Sequence, residues 1–353
     1  MQEYDFLPAA TEHCFLKFAF FAPLLSLRET NSHECFSSYI SILLSLDMKR
    51  NEFLKLTGLT LGASLVSNPF ELFASEPARI PTTAEELSRY MLSMAPERVP
   101  TVDRVIVGDP NARIIKAATC WMPYWETLRK AKNEGVNVII AHEPTFFTHW
   151  DLNEKQGDYY RNPAAQAEYL KWAEKKMDWI LENKLVVVRN HDSIDQVMDF
   201  GMSAALGKVL GFGPGDILRQ EKYYSVFKLQ PIKAGVFAKR ISKILGEFGQ
   251  PGVGFYGDEN RLIQSIGIGT GNASDPIQFA HMNPEMFLVI NDAFRTWSHG
   301  EFATDSGTPM VIIDHGTSEE HGMRLLQQHL KSKFPEMDII HLEQGCSYKW
   351  IVP

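Results

Sequence analysis

The chain has 353 residues, 44% hydrophobic and 22% charged, which fits a folded protein with a large core in two domains. Its 35 basic and 43 acidic residues give a net charge of −8, and without a long basic stretch we expect no nucleic-acid polymer as a partner. Four scattered cysteines form no CxxC pair and indicate neither a thiolate zinc site nor a disulfide framework. We expect Cys120 to lie within a helix as a small apolar residue.

The first 80 residues differ from the rest of the chain. Their apolar runs within residues 1–47 are too short for a transmembrane helix, and we interpret these residues as a non-native or disordered extension because a signal-like pattern begins only at Met48. Met48 opens a segment with basic residues, a short apolar stretch and then small residues near Ala74, which is the layout of an export signal. This predicts a signal over residues 48–75, removed in an exported, periplasmic protein without a stable membrane span. The alternative is an amphipathic helix of the folded domain, in a cytoplasmic protein.

From about Ile80 onward, strands and helices alternate along the chain, which predicts α/β layers with some parallel sheet. The predicted strands are Val102–Val107, Val136–Ala141, Leu185–Arg189, Tyr224–Leu229, Ile263–Ile268, Met286–Ile290, Met310–Ile313 and Asp338–Leu342. The predicted helices are Ala84–Met94, Ile114–Asn133, Pro163–Glu182, Met202–Leu210, Ala238–Phe248 and Glu320–Lys333.

Glycine and proline cluster between some of these elements, which indicates a change of subdomain. One cluster is GFGPG, residues 211–215, and another is QPGVG, residues 250–254. We therefore predict two α/β subdomains with mixed sheets. Residues 80–210 and 300–353 would form a metal-binding domain, and residues 211–299 the second subdomain.

Three apolar runs of the chain end in side chains that can bind metals. They deliver, in chain order, His142 with Glu143, then His191 with Asp192 and Asp195, then Asp314 with His315 and Glu319. In open α/β sheets, ligands bind where the carboxyl ends of strands meet, so three such ends predict one convergent metal site. Mixed nitrogen and oxygen ligation suits zinc, iron, manganese or cobalt better than calcium.

The local spacing of these residues is compatible with one site. His315 and Glu319 are four positions apart, so they share one face if a helix begins directly after the third run. Pro144 favours an extended or turning backbone at Glu143, so that His142 and Glu143 can address one pocket from different sides. The combination of three strand ends, rather than any single residue, predicts the site.

Each of these residues also has a plainer interpretation. A histidine beside a strand is usually a surface or hydrogen-bonded residue, and carboxylates in loops are usually solvated or cap a helix. Asp192 and Asp314 look more like turn or cap residues, and His149 has no comparable pattern around it. The glycine run IGIGTGN, residues 266–272, lacks the GxGxxG spacing and indicates a tight turn rather than a phosphate loop.

Three short motifs carry a resemblance to a known family. AHEPTFF at residues 141–147, HDSID at residues 191–195 and DHGTSE at residues 314–319 are similar in order and spacing to motifs of the Nif-three-like dinuclear metal family, also described as GTP cyclohydrolase 1 type 2-like. The resemblance covers about Thr82 to Tyr348. It implies the Nif-three-like fold and a toroidal homohexamer with its sites facing an internal cavity.

The resemblance also implies a set of ligands for two divalent ions, which would be zinc, iron or manganese. The implied ligands are His142, Glu143, Asp195, His315 and Glu319. Among them Glu319 would bridge the two ions. Glu143 stands where the family has the second histidine of His-His-Pro, which changes the charge at that ion and leaves its identity open.

Two further residues receive roles beside these ligands. His191 is our candidate for the general acid or base, because the ordinary pKa of histidine lies near neutral pH. Asp292 lies where the family often has Glu at a similar strand end, and we expect it to support the site.

The resemblance implies a metal-dependent hydrolase that uses an activated water on a nucleotide-like or cyclic amide substrate. The alternative is a non-catalytic metal-binding, metal-delivery or interaction scaffold. In a third hypothesis, Glu143 has converted the centre into a single structural metal site.

Overall fold

The computed structural model describes residues 79–95, 101–152, 160 and 162–352. The predicted extension, residues 1–47, and the predicted export signal, residues 48–75, lie outside the described residues. No helix within the described ranges is both long and apolar enough to cross a lipid bilayer.

Helices and strands alternate through the described part of the chain and are numbered here in chain order. The α-helices are α1 (Ala84–Leu92), α2 (Trp125–Asn133), α3 (Pro163–Glu182), α4 (Asp192–Asp195), α5 (Met202–Val209), α6 (Ala234–Leu245), α7 (Glu301–Ser306) and α8 (His315–Lys333). The strands are β1 (Val105–Val107), β2 (Ala117–Cys120), β3 (Val138–Ala141), β4 (Val186–Arg189), β5 (Ile217–Gln220), β6 (Tyr224–Lys233), β7 (Gly254–Tyr256), β8 (Leu262–Gly269), β9 (Phe287–Ile290), β10 (Met310–Ile313) and β11 (Ile339–His341).

The first sheet has the strand order β1-β4-β3-β2-β11, in which only the edge strand β1 runs antiparallel to its neighbour. Its three central strands are buried along their whole length, as expected for parallel strands covered by helices on both faces. On one face, Val138 and Ile140 of β3 pack with α1 and α8; on the other, Ile139 and Ala141 pack with α2 and α3. Because both faces of β3 are buried, every residue of this strand is apolar.

The second sheet has the strand order β5-β6-β8-β9-β10-β7. Strands β8, β9 and β10 are parallel, and antiparallel strands flank them on both sides. Helices α5 and α6 cover one face, where Leu206 and Phe237 join the largest apolar cluster. Helix α8 starts at the end of β10 in this sheet and packs its apolar face on the first sheet, so its first turn lies where the two sheets meet.

The structure confirms the α/β fold class with two mixed sheets. The predicted helix Ile114–Asn133 is wrong, because this segment holds both the strand β2 and the shorter helix α2. Pro123 separates the two elements, since the residue before a proline is biased away from helical backbone angles. Cys120 therefore lies at the buried end of a parallel strand and not in a helix.

The start of α8 and two edge strands also differ from the prediction. Helix α8 begins at His315 rather than Glu320, because the Asp314 side chain caps it by accepting from the backbone N–H of Thr317. The strands β5 and β7 were not predicted, and both lie at the edges of the second sheet. The division of the chain into subdomains stays a prediction, although β10, placed by it in the metal-binding domain, pairs within the second sheet.

Candidate metal centre

The three predicted strand ends meet in one place. His142 and Glu143 directly follow β3, Asp195 ends the short helix α4 after β4, and His315 and Glu319 lie on the first turns of α8. Four of these five side chains are buried, and that of Asp195 is only 13% exposed. The structure therefore brings together all five residues that the sequence proposes as metal ligands.

The carboxylate of Glu319 lies at the middle of the cluster. Its Oε2 atom is 3.3 Å from Nε2 of His142 and 2.9 Å from Nε2 of His315. On one side, Oδ1 of Asp195 is 3.9 Å from Nε2 of His142. On the other side, Oε1 of Glu143 is 3.2 Å from Nε2 of His315. Glu319 is thus shared between two groups of ligand atoms.

These short contacts do not have the alignment of hydrogen bonds. Nε2 of His142, Nε2 of His315 and Oδ1 of Asp195 are buried and have no hydrogen-bond partner among the described residues. With metal–ligand bonds of about 2.1 Å, neighbouring ligand atoms around one ion lie about 3.0 to 3.4 Å apart. Three of the four observed spacings, 2.9, 3.2 and 3.3 Å, lie in or next to this range, and the fourth, to Asp195, is wider at 3.9 Å. This donor set fits metal ions.

Both histidines are held in the tautomer that a metal ligand needs. The Nδ1–H of His142 donates to the backbone carbonyl of Asn190 over 3.2 Å. The Nδ1–H of His315 donates to Oδ2 of Asp292 over 2.8 Å. Because both acceptors lack a proton to give, Nδ1 carries a hydrogen, and Nε2 is the ring atom that faces the cluster and can bind a metal once it loses its own proton. Asp292 thus lies where its predicted supporting role requires it.

The histidines and carboxylates of the centre shift one another's pKa values. Burial alone would lower the pKa of His142, but the carboxylates of Glu319, Asp195 and Glu143 raise it to about 10. Burial raises the pKa of Asp195 to about 6, although the nearby histidines oppose this change. Burial also acts to raise the pKa of Glu143, but His315 lowers it to about 2. Three carboxylates around two imidazoles make this a place that attracts positive charge.

A buried carboxylate fixes the second strand end. Asp103 accepts hydrogen bonds from the backbone N–H groups of His191, Asp192 and Ser193, at 2.6, 3.2 and 2.8 Å. An acceptor at the N-terminus of a helix satisfies donors that otherwise have no partner. This anchor orients α4 and places Asp195 opposite His142.

His191, the predicted general acid or base, lies directly beside these ligands. Its ring stacks on His142 with centroids 4.5 Å apart, and its Nδ1–H donates to Oδ1 of Asp192 over 2.9 Å. Burial and His142 act to lower the pKa of His191, but the carboxylates of Asp192 and Asp195 raise it overall. The structure thus places a charge-assisted imidazole next to the cluster, and its catalytic role stays a prediction.

Sequence reasoning missed two neighbours of Glu319. The indole N–H of Trp121 donates to Oε2 of Glu319 over 3.0 Å, from a segment that was predicted to be helical. Gly271 has φ +60°, and a Cβ atom at this position would lie 3.0 Å from Oε1 of Glu319. The turn predicted for the glycine run thus also brings backbone against the metal centre, which only a glycine permits without strain.

A third missed neighbour is His149, in the loop after β3. Its Nε2 atom is 3.7 Å from Oε2 of Glu143, and its ring is edge-on to His191 with centroids 4.5 Å apart. Burial, with a smaller effect of His191, lowers the pKa of His149 to about 4. No periodic or spacing signal marks this residue, because only the loop conformation brings it to the cluster.

The sequence model of the Duf34/NIF3 family (NGG1p interacting factor 3) matches residues 85–345. The chain belongs to this family. The match confirms the resemblance seen in the three strand-end motifs and spans both sheets of the fold. A comparison with curated proteins found no match.

Solved structures show the same fold. The Staphylococcus aureus protein SA1388 has a TM-score of 0.60 and 15% identity, over 77% of this chain and all of that one. A Bacillus cereus protein related to NIF3 has a TM-score of 0.59 and 14% identity, over 78% and 99%. Reduced HcgD from Methanocaldococcus jannaschii has a TM-score of 0.52 and 18% identity, over 74% and 98%. At these identities the similarity concerns the fold alone.

Proposed function

We propose that this Duf34/NIF3 protein binds two divalent metal ions and hydrolyses a small, nucleotide-like or cyclic amide substrate. One observation carries the proposal: two buried imidazoles, each with Nδ1–H bound to an acceptor, turn Nε2 atoms that have no aligned hydrogen bond toward the shared carboxylate of Glu319. Zinc, iron and manganese all accept such mixed ligands.

The residues divide naturally between two ion positions. His142 and Asp195 would hold one ion, Glu143 and His315 the other, and Glu319 would bridge them. Bound divalent ions supply Lewis-acid chemistry, lowering the pKa of water and neutralising negative charge that develops on a substrate oxygen.

His191 is suited to move a proton in this reaction. Asp192 holds its Nδ1–H, so proton transfer to and from substrate takes place at Nε2. Burial acts to lower the pKa of His191, but the carboxylates of Asp192 and Asp195 raise it, which suits this side chain to give a proton to the leaving group. Trp121 donates its indole N–H to Glu319 and keeps the carboxylate oriented.

A cavity of about 820 Å³ has the size of a small-molecule site; Trp121, which contacts Glu319, lines it, but none of the five proposed ligands does. Its walls include the rings of Tyr124, Tyr348 and Trp350 and the ammonium group of Lys130. Aromatic rings can stack on a planar base, and the lysine can pair with an anionic group. The rings suit a planar nucleotide-like or cyclic amide substrate, while Lys130 and Lys349 are balanced by Glu126 and Glu343 in the same lining.

The proposal is tested by metal analysis and a hydrolase screen on the full chain. We expect about two divalent ions per chain, and hydrolysis of at least one nucleotide or cyclic amide. Asp195→Asn should lower turnover on the order of 100-fold while the circular dichroism spectrum is unchanged, because only a ligand is altered. Asp199→Asn, at an exposed position four residues away, is the matched control.

Three results would contradict parts of this proposal. A wild-type protein that takes up no divalent ion would refute it entirely. Two ions without any turnover would favour the metal-binding or metal-delivery scaffold instead. Unfolding on metal removal, with a single ion per chain, would favour a structural site. Export from Met48 and assembly into a hexamer stay predictions from the sequence.

Metal uptake should release protons and strengthen as the pH rises. His142 has a pKa of about 10 in the metal-free protein, so at neutral pH its Nε2 carries a proton that a metal ion must displace. The apparent affinity should therefore increase with pH up to about 10 and then level off. Titration calorimetry in buffers with different ionisation enthalpies measures this release, and a pH-independent affinity would contradict the assigned role of His142.

A further inference from the structure

The carboxylate of Glu143 faces histidines on both of its sides. Oε1 is 3.2 Å from Nε2 of His315, and Oε2 is 3.7 Å from Nε2 of His149. Glu143 accordingly belongs to two groups of potential metal ligands. Within each group, the ligand atoms lie within 4.8 Å of one another. One group is Glu143, His315 and Glu319; the other is His142, Glu143 and His191.

His149 borders the second of these groups. Its ring is edge-on to His191, which itself stacks on His142. The Nδ1 atom of His149 is buried without a hydrogen-bond partner in the described part of the chain, while Nε2 points to Glu143. His149, His191 and His142 thus form a row of imidazoles with neighbouring ring centroids 4.5 Å apart, and His149 at its end faces Oε2 of Glu143.

The backbone around His149 is held in place by a buried arginine. Arg189, 1% exposed at the end of β4, donates from Nη1 to the backbone carbonyl of His149 over 3.0 Å and from Nη2 to the carboxylate of Asp151. Phe147 and Asp151, on either side, both have positive φ angles, 65° and 56°. A tight loop anchored on a buried cation presents this imidazole in a fixed place, as preorganised ligands require.

We propose that His149 is a metal ligand on the Oε2 side of Glu143, next to His142 and His191. The inference rests on the proposed function, because it requires that the centre binds metal. It makes the two positions chemically unequal: one is rich in imidazole nitrogen, and the other, with Glu143, His315 and Glu319, is rich in carboxylate oxygen. Zinc is favoured at the first position, while manganese is tolerated at the second.

The test uses Co²⁺ as the probe, because its visible spectrum reports ligand number and type. In His149→Gly, one of the two Co²⁺ equivalents should bind at least about tenfold more weakly, with a changed absorption band, while the other is unaffected. Added imidazole should restore the band, since the His149 side chain is 39% exposed and the vacated space is open to solvent. His281→Gly, at an exposed histidine in another loop, is the control.

The outcomes separate the inference from the proposed function. Wild-type spectra and affinities in His149→Gly would overturn the ligand role, as would a lost band that imidazole does not restore. If the glycine variant fails to fold, His149→Gln keeps the size and polarity of the side chain, and it is read by the weaker binding of one Co²⁺ equivalent and the changed band, without the imidazole step. A wild-type protein that binds no Co²⁺ would overturn both the inference and the dinuclear proposal.

Discussion

Replacing Glu319 with glutamine should remove both metal ions at once. Its Oε2 atom lies within 3.3 Å of both histidine Nε2 atoms, so it is placed to serve both positions. Glutamine keeps the volume in this buried site but loses the negative charge and one acceptor oxygen. We expect the affinity at each position to fall on the order of 100-fold or more, and turnover to be lost with it.

Comparison with a variant that alters only one of the two ion positions makes this experiment specific. Asp195→Asn should weaken the binding of one ion, because this carboxylate lies on one side of the cluster. Glu343→Gln, at a side chain that is 65% exposed, should bind two ions like the wild type. Elemental analysis after dialysis measures the content. A Glu319→Gln protein that keeps one ion at full occupancy would contradict the bridging role.

The second large effect concerns stability. Arg189→Met should lower the free energy of unfolding by about 3 to 5 kcal/mol, because it leaves Asp151 as a buried carboxylate with less compensation. Arg189 is 1% exposed, and it bonds both Asp151 and the carbonyl of His149. Methionine keeps most of the side-chain length and apolar contacts, so the change reports on the charge and its hydrogen bonds. Urea unfolding followed by circular dichroism measures the loss.

Arg104→Met is the matched control for this substitution. Arg104 also pairs with Asp151, at 2.6 Å, but its side chain is 43% exposed and water screens the interaction. The loss should therefore be about 1 kcal/mol or less. Equal losses of unfolding free energy in the two variants would show that burial does not determine how much Arg189 contributes to stability. The loop that carries His149 should also lose its anchor only in Arg189→Met, so weaker metal binding is expected in that variant alone.

Much of the fold could be predicted from the sequence, for physical reasons that differ between elements. The strands β3, β4 and β10 are short apolar runs bounded by turn residues, and burial on both faces requires that composition. The exception is β2, whose residues Ala117–Cys120 are small and lack a strong strand preference. Its place between β3 and β11 depends on tertiary pairing, which overrides local preference.

Part of the site could also be predicted from the sequence. The four-residue spacing of His315 and Glu319 predicted one helical face, and both side chains do reach the cluster from the first turns of α8. Trp121 and His149 were missed, because one was assigned to the wrong element and the other lies in a loop without a periodic pattern. Such contacts join residues far apart in the chain, and spacing carries no information about them.

The sequence by itself determined the family, the α/β class and the three strand ends that carry the ligand candidates, because apolar periodicity and short motifs are local properties of the chain. Only the tertiary structure decided which atoms meet. It placed Glu319 between His142 and His315, turned the two oxygens of Glu143 toward different histidines, and brought His149 beside the cluster. The physical reason is that these distances follow from the packing of α8 and the loop after β3, which depends on the whole core.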